Sequence, residues 1–203
     1  MRNNEQGRSM IEMLGVLAIV GVLSVGGIAG YSKAMNKFKT NKAIDQVNMI
    51  STNIRTLFSS QRNYTGLNNK LAVKANLIPT EMYDTTQASP SAITNAFGGE
   101  VDVHAAATSS DTTGAYVIYF AGVPATSCIS FVTTDWGGDT GSGLMAVAAG
   151  GSTGKTTLDA SSLTAGDNLH VPGHTSYGIP YTIAQANSVC GGAGNKAIAW
   201  KYF

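Results

Sequence analysis

The chain has 203 residues and a formal net charge of +1, and this length accommodates one ordinary domain and an additional segment. The charge is unevenly distributed, because residues 1–62 carry eight Lys or Arg against three acids, whereas residues 63–203 carry five Lys against nine acids. The second part is therefore weakly acidic, and it is rich in Gly, Ala, Ser and Thr. This composition argues against a broad nucleic-acid surface.

A long apolar run lies close to the N-terminus. No residue from Met13 to Tyr31 is charged, and these nineteen residues would rise about 28 Å as a helix, close to the thickness of a bilayer core. Glu12 lies at the start of this run. A carboxylate inside a membrane is costly and suggests a charged partner. Alternatively, a carboxylate in the headgroup region would interact favourably with the dipole at the N-terminus of the helix.

Beyond this run, apolar side chains recur at three- and four-residue steps, as is typical of an amphipathic helix: Ile44, Val47, Ile50, Ile54, Leu57 and Phe58. No proline precedes Pro79, so the pattern predicts one helix from about Ser9 to Arg62, roughly 80 Å long. Residues 8–31 would form its apolar half and residues 32–62 an amphipathic half. Five glycines in the apolar half either permit close helix packing or let the helix loosen on assembly: Gly15, Gly21, Gly26, Gly27 and Gly30.

The remaining residues, 63–203, predict a head that contains both strands and short helices. Residues 115–121 (AYVIYFA) are aromatic and β-branched between two glycines, and they form the clearest predicted strand. Further strands are predicted at 144–148, 178–183 and 197–203, and short helices at 90–97 and 128–136. The predicted fold is therefore α+β, with a long N-terminal helix packed on an antiparallel sheet.

Cys128 and Cys190 are the two cysteines of the chain, and they show neither CxxC nor Cys/His metal spacing. In an oxidising compartment the simplest interpretation is a disulfide bond that bounds the loop 128–190, whereas in a reducing compartment both would remain free thiols. The bridge would contribute roughly 4 kcal/mol in the chain-entropy model. Basic residues flank the apolar run on both sides, so charge alone does not decide which side of a membrane holds the head.

Three patterns in the head resemble enzyme sites. Residues 149–156 approach a phosphate-binding loop, but no acidic strand accompanies them. Ser152 lies in a GxSxG string, and candidate acid and base partners follow it in the order of a hydrolase triad: Asp159, Asp167, His170 and His174. His170 and His174 could also bind a metal together with Asp167. In each case the composition favours a Gly- and Ser-rich surface loop with exposed histidines.

The segment Gly7-Arg8-Ser9-Met10-Ile11-Glu12 resembles the type III signal of type IV prepilins. The resemblance implies that a dedicated peptidase cuts after Gly7, removing a leader of residues 1–7, and that the new N-terminal residue, Arg8, is N-methylated. Most family members have an apolar or aromatic residue where Arg8 stands. Glu12 falls on the family's glutamate, whose carboxylate would pair with the N-terminal amine of a neighbouring subunit and support filament assembly. A disulfide between Cys128 and Cys190 also agrees with the family, which commonly staples a C-terminal loop.

This resemblance implies a structural function, with no enzymatic activity and no cofactor. The prepilin would sit in the inner membrane with its head outside the cytoplasm and then polymerise with its own copies into an extracellular pilus on the cell surface. Its partners would be the prepilin peptidase and methylase, the assembly ATPase, the inner-membrane platform and the outer-membrane secretin. The head size and the wide cysteine loop resemble type IVb, PilS-like thin-pilus major subunits, whereas the short leader is more like type IVa.

Three alternatives remain open from the sequence. A pseudopilin or minor pilin, in a type II secretion system or at a pilus tip, would share the same anchor. A membrane-tethered hydrolase would depend on Ser152. An anchored binding module would insert into the membrane but would not polymerise.

Overall fold

The computed structural model describes residues 6–86, 92–138, 141–151 and 158–203, except for the side chains of residues 6–9. The chain forms two compact units that divide between Phe38 and Lys39. The first helix, α1 (Gln6–Phe58), contributes residues to both units.

Helix α1 ends at Phe58 rather than at Arg62, the predicted end. The chain then turns, and the amide of Tyr64 donates to the carbonyl oxygen of Thr113 at 2.8 Å. The ring of Tyr64 packs on that of Phe58, with centroids 5.2 Å apart. The helix therefore ends where the backbone and an aromatic side chain find partners in the head.

The second unit holds the remaining elements of secondary structure. The helices are α2 (Asn69–Lys74), a 3₁₀ turn (Thr80–Met82), α3 (Ala125–Thr133) and α4 (Ile183–Cys190). The strands are β1 (Ile93–Thr94), β2 (Glu100–Ala106), β3 (Ala115–Val123), β4 (Leu144–Gly150), β5 (Leu169–His170) and β6 (Lys196–Tyr202).

Six strands in the described residues form one sheet in the order β1-β2-β3-β6-β4-β5. Every pair of neighbouring strands is antiparallel. Strand β6, at the C-terminus of the chain, lies between β3 and β4, and its Trp200 is opposite Ile118 on one side and Val147 on the other. The architecture confirms the predicted α+β fold.

The inner face of the sheet packs on the second half of α1, residues 39–58, which belongs to the second unit; residues 6–38 are the first half. Val47, Ile50 and Ile54 are fully buried there, one helical turn after another, as the apolar spacing predicts. Helices α3 and α4 complete this core. Aromatic rings fill its centre, and the rings of Trp136 and Trp200 lie 5.0 Å apart in an edge-on arrangement.

The outer face of the sheet carries a second, smaller core of mainly small side chains. These side chains alternate with the inner ones along the strands, and they include Ala115, Val117, Ala146, Ala148 and Ala199. Residues 158–163, which we call the outer segment, lie over this face, and the side chain of Leu158 is fully buried against it.

Two local predictions in the head are wrong. The helix predicted at 90–97 is replaced by the short strand β1, while Pro90 itself lies outside the described residues. The strand predicted at 178–183 is instead the approach to α4. Thr182 and Gln185 form a capping box at the start of that helix, in which each side chain bonds the other residue's backbone amide.

Candidate functional site

The first half of α1 presents a continuous apolar surface that is exposed in the part of the chain that the structure describes. Ile11 and Val22 are each 75% exposed, and Leu23 is 69% exposed. A helix of this length and composition, unburied and near the N-terminus, is able to cross a membrane. A core helix of a soluble domain would be largely buried, so this surface needs lipid or protein to cover it.

The polar side chains of this half suit an apolar environment. The hydroxyl of Ser24 donates to the carbonyl oxygen of Val20 at 2.7 Å, and the hydroxyl of Ser32 donates to that of Ile28 at 3.0 Å. Both hydroxyls are therefore satisfied within the helix, as lipid requires. Glu12 is exposed, and it is the one charged residue between Met10 and Tyr31.

The five glycines of the apolar half have open space beside them. Apart from the neighbouring residues and the nearby backbone of the helix itself, a Cβ atom built on any one of them would meet no described atom within 4 Å: Gly15, Gly21, Gly26, Gly27 and Gly30. Packing among the described residues therefore gives no reason for these glycines. Both predicted explanations, close approach of a second helix and loosening on assembly, concern contacts with other molecules.

Gly7 and Arg8 lie in the first turns of α1, but their side chains fall outside the described residues. Cleavage after Gly7 and methylation at Arg8 stay predictions. The role of Glu12 in assembly stays a prediction as well.

The second half of α1 is fixed to the head by polar contacts as well as by apolar burial. The hydroxyls of Thr40 and Ser127 lie 2.8 Å apart and join α1 to α3. The hydroxyls of Ser51 and Tyr116 lie 2.8 Å apart and join α1 to β3. The Nε of Arg55 donates to the same Tyr116 oxygen at 3.1 Å. Buried hydroxyls paired in this way define how the helix seats on the sheet.

Arg55 and a row of aromatic rings extend this contact. The guanidinium of Arg55 lies 4.8 Å from the ring centroid of Tyr202, and the rings of Tyr202 and Tyr116 are stacked 5.4 Å apart. Burial raises the pKa of both tyrosines above the usual value, although Arg55 opposes the shift. Both phenols therefore remain neutral and act as hydrogen-bonding and stacking groups rather than as acids.

The predicted disulfide bond is confirmed. Cys128 in α3 and Cys190 at the end of α4 are bonded, with Cα atoms 5.7 Å apart and a sequence separation of 62 residues. The loop that they bound contains β4 and β5. The disulfide bond thus joins α3 to α4, which are separated in the sequence by the long loop 128–190.

Comparison with known proteins identifies the family. A family model described as PilS N terminal matches residues 37–202, which is most of the chain. The chain belongs to the PilS N-terminal family. The match includes the second half of α1 and nearly all of the head.

Curated relatives of this PilS-family chain are the major structural subunits of the bundle-forming pilus from Escherichia coli O127:H6 (strain E2348/69 / EPEC) and from Escherichia coli O111:H-. Each is 31% identical over 133 residues, which is 66% of this chain and 66% of the relative. The chain thus spans somewhat less than two thirds of the length of these relatives.

Two solved structures have a similar fold. The type IV pilin TcpA from Vibrio cholerae El Tor biotype has a TM-score of 0.55 at 13% identity, over 81% of this chain and 99% of that one. A type IVb pilin from Salmonella typhi has a TM-score of 0.53 at 18% identity, over 80% of this chain and 98% of that one. The PilS-family chain therefore has the type IV pilin fold, in a type IVb-like form.

The enzyme-like patterns do not assemble into a site in the part of the chain that the structure describes. Ser152 lies outside the described residues, as does most of the segment 149–156. His174 is exposed, as expected, and its Nδ1 accepts from the amides of Ser176 and Tyr177. No group of three or more His, Cys, Asp or Glu side chains is placed to hold a metal among the described residues.

His170 contradicts the prediction of an exposed loop histidine. It is fully buried in β5, its ring stacks on that of Tyr181 with centroids 3.4 Å apart, and its Nδ1 donates to the carbonyl oxygen of Gly178 at 2.8 Å. Burial lowers the pKa of His170, so the ring is neutral at physiological pH. The prediction was wrong because the sequence does not reveal the two-residue strand that carries His170 into the sheet.

The head contains a cluster of titratable side chains that the sequence pattern does not predict. His104 of β2 lies between the carboxylates of Asp102 and Asp159, within hydrogen-bond distance of both. The D-x-H spacing places Asp102 and His104 on one face of a strand and was readable in advance. Asp159 lies far away in the sequence, and its position depends on the fold of the outer segment.

Proposed function

We propose that this chain is a structural subunit of a type IV pilus, which polymerises with its own copies through the first half of α1. One observation carries the proposal. The same helix has one face buried where it belongs to the head, and it is exposed on all sides over an apolar stretch long enough to cross a bilayer. The PilS family match and the two relatives named as major pilus subunits support it.

The division of labour along the chain follows from this proposal. Residues 1–7 are a leader. Residues 8–31 anchor the precursor in the inner membrane and later line the filament axis. Residues 32–62 join this anchor to the head, and residues 63–203 form the surface of the fibre. The assembly ATPase, inner-membrane platform and outer-membrane secretin then act on the processed subunit.

Processing at Gly7 creates the group that Glu12 needs. Cleavage leaves a cationic amine on Arg8, and methylation keeps its charge. In the apolar interior of a filament an unpaired carboxylate is expensive, whereas a carboxylate paired with the amine of the next subunit is tolerated and defines the axial register. The exposure of Glu12 in the single chain is consistent with such a partner on another copy.

The test is intact mass and N-terminal sequencing of protein sheared from the cell surface. We expect an abundant species that begins at Arg8, with or without one added methyl group, and that has the mass of an oxidised cysteine pair. Unprocessed chain from the membrane fraction is the control. Sheared protein that retains residues 1–7, or the absence of this chain from surface fibres, contradicts the proposal. Trace amounts in fibres built of another subunit would favour a minor pilin instead.

A further inference from the structure

Both ring nitrogens of His104 face carboxylate oxygens. Nδ1 lies 2.7 Å from Oδ2 of Asp102, and Nε2 lies 2.6 Å from Oδ1 of Asp159. The side chains of His104 and Asp102 are each 21% exposed, and that of Asp159 is 38% exposed. The cluster is thus partly shielded from water, and Asp159 is its most accessible member.

This geometry specifies the protonation state of the ring. A neutral imidazole has one N–H group and can donate to one carboxylate, whereas an imidazolium donates from both nitrogens. Two short contacts to ionised carboxylates therefore require the imidazolium. Burial opposes this charge, but the hydrogen bonds and charges of Asp102 and Asp159 outweigh it and raise the pKa of His104 above its usual value.

The cluster holds the outer segment (residues 158–163) on the sheet. The carbonyl oxygen of Asp159 accepts from the amide of Ala107 at 3.3 Å, and that of Ala160 accepts from the Nζ of Lys201 at 2.8 Å. In register, His104 is opposite Val117, and Val117 is opposite Lys201 on the next strand. The two side chains that hold the outer segment, His104 on β2 and Lys201 on β6, therefore lie on either side of Val117, which belongs to the apolar surface that Leu158 covers.

We propose that Asp102, His104 and Asp159 form a pH-dependent latch, which holds the outer segment on the outer face of the sheet while His104 is protonated and loosens it when His104 is neutral. A neutral ring can keep one of its two hydrogen bonds. Asp102 lies two residues away on the same strand, so the sheet keeps its backbone beside His104. Asp159 is more exposed and belongs to a loop, so the bond to the outer segment is the one that is lost.

The other charged and titratable groups around His104 decide how strongly the outer segment is still attracted to the sheet once His104 is neutral. Lys201 on β6 is fully buried, and burial lowers its pKa while Asp159 opposes that shift. Tyr119 on β3 is opposite Asp102, and Glu100 lies on the same side of β2 as His104. Helix α2 meets the edge of β2 through Asn69 and carries Lys70 and Lys74. Lys201 therefore still attracts Asp159 after His104 loses its proton, and the loosening is graded.

The sign of the pH dependence follows from the raised pKa. A closed latch binds the proton more tightly than an open one, so the stabilisation is fully present below the ordinary histidine pKa of about 6.5 and is lost as the pH rises through the higher pKa of the closed state. Mildly alkaline conditions should therefore uncover the small apolar side chains under Leu158, including Val117, Ala146 and Ala199.

The test uses the full chain in detergent micelles between about pH 6 and pH 9. NMR follows the imidazole signals, which are assigned with His104→Gln and with His174→Gln, the matched control on an exposed histidine. Hydrogen exchange measures the protection factors of the amides in residues 158–163. We expect the pKa of His104 to lie above the ordinary histidine value of about 6.5. From the acidic to the alkaline end of this range, the protection factors should fall in total by about tenfold for each unit by which the pKa of His104 in the closed latch exceeds its pKa in the open latch.

Two variants make the result decisive. Asp159→Asn keeps the shape of the side chain but removes its charge. It should lower the pKa of His104 and abolish the pH dependence of amide protection in residues 158–163. His174→Gln should leave both unchanged. If the pKa of His104 is no higher than the ordinary histidine value of about 6.5, or if protection of residues 158–163 is the same on both sides of the His104 titration, the latch does not exist.

Discussion

The two halves of α1 share one helical backbone but differ in what surrounds them. Ile50 in the second half is fully buried, whereas Ile19 in the first half is 63% exposed. Ser51 uses its hydroxyl to reach Tyr116 of the sheet, whereas Ser24 turns its hydroxyl back to its own helix. The apolar side chains of the first half therefore have no covering partner among the described residues, whereas one face of the second half is already buried in the core of the head.

From this contrast we expect that the two roles of the helix, association through its first half and stabilisation of the head through its second half, can be changed separately. A change in the first half should alter association and leave the head stable. A change in the second half should alter the stability of the head whether or not subunits associate. The following variants test this separation, from the largest expected effect to the smallest.

Glu12→Val should abolish filament assembly while membrane insertion and the fold of the head persist. The substitution leaves the amine of a neighbouring subunit unpaired in an apolar interior, and breaking such a pair costs about 3–5 kcal/mol, or at least a hundredfold in association. The measurement is the amount of sheared surface fibre, with membrane-fraction protein as the reference.

Glu12→Gln is the matched control for shape, because it keeps the side-chain size and removes the charge. It should also fail to assemble if the ion pair matters. Normal piliation with Glu12→Val would show that the carboxylate has no role in assembly.

Replacing Cys128 and Cys190 together by serine should lower the free energy of unfolding of the head by about 4 kcal/mol, because the unfolded chain is no longer cross-linked. Insertion through the first half of α1 should be unchanged. Chemical denaturation of the full chain in detergent, followed by tryptophan fluorescence, reports on the head specifically because Trp136 and Trp200 both lie in its core. An unchanged denaturation midpoint would contradict this expectation.

Ile50→Ala and Ile19→Ala compare the same substitution at two sites of one helix. Ile50→Ala should lower the free energy of unfolding by about 3 kcal/mol, because it opens a cavity in a closed core. Ile19→Ala should change it by less than about 0.5 kcal/mol, since Ile19 contacts no core. The same tryptophan-detected denaturation measures both, and equal losses would refute the separation of the two halves.

Tyr116→Phe should give the smallest of these effects, a loss of about 1 kcal/mol in the free energy of unfolding, because Ser51 and Arg55 lose a shared hydrogen-bonding partner. Tyr31→Phe is the matched control, because Tyr31 is 67% exposed in the first half of α1. A loss of equal size in both variants would mean that the hydroxyl of Tyr116 does not secure the helix.

The features predicted best are those whose physical cause is local. The spacing of Val47, Ile50, Ile54 and Phe58 predicts which face of α1 is buried, and the structure buries all four. Leu57 follows the same spacing but is 42% exposed, because the helix ends one residue later and the chain turns away. Strand β3 was predicted within two residues of its end because its aromatic and β-branched run is bounded by glycines.

The features that were missed depend on contacts between distant residues. The order of the strands, and with it the burial of His170 in β5, arises from pairings across the loop that the disulfide bounds. The approach of Asp159 to His104 has the same origin. The capping box of Thr182 and Gln185 is different, because its T-x-x-Q signature is local and indicates the start of a helix within the segment 178–183 that was predicted to be a strand.

The position of β6 affects how the head folds. Strand β6 follows β3 and β4 in the sequence but lies between them in the sheet, so neither strand has its shared neighbour until residues 196–202 are in place. A partly folded head without β6 therefore exposes two unpaired strand edges, a state prone to mispairing. A chain cut before Lys196 would lack the strand that joins the two parts of the sheet, so we expect its head to aggregate rather than fold.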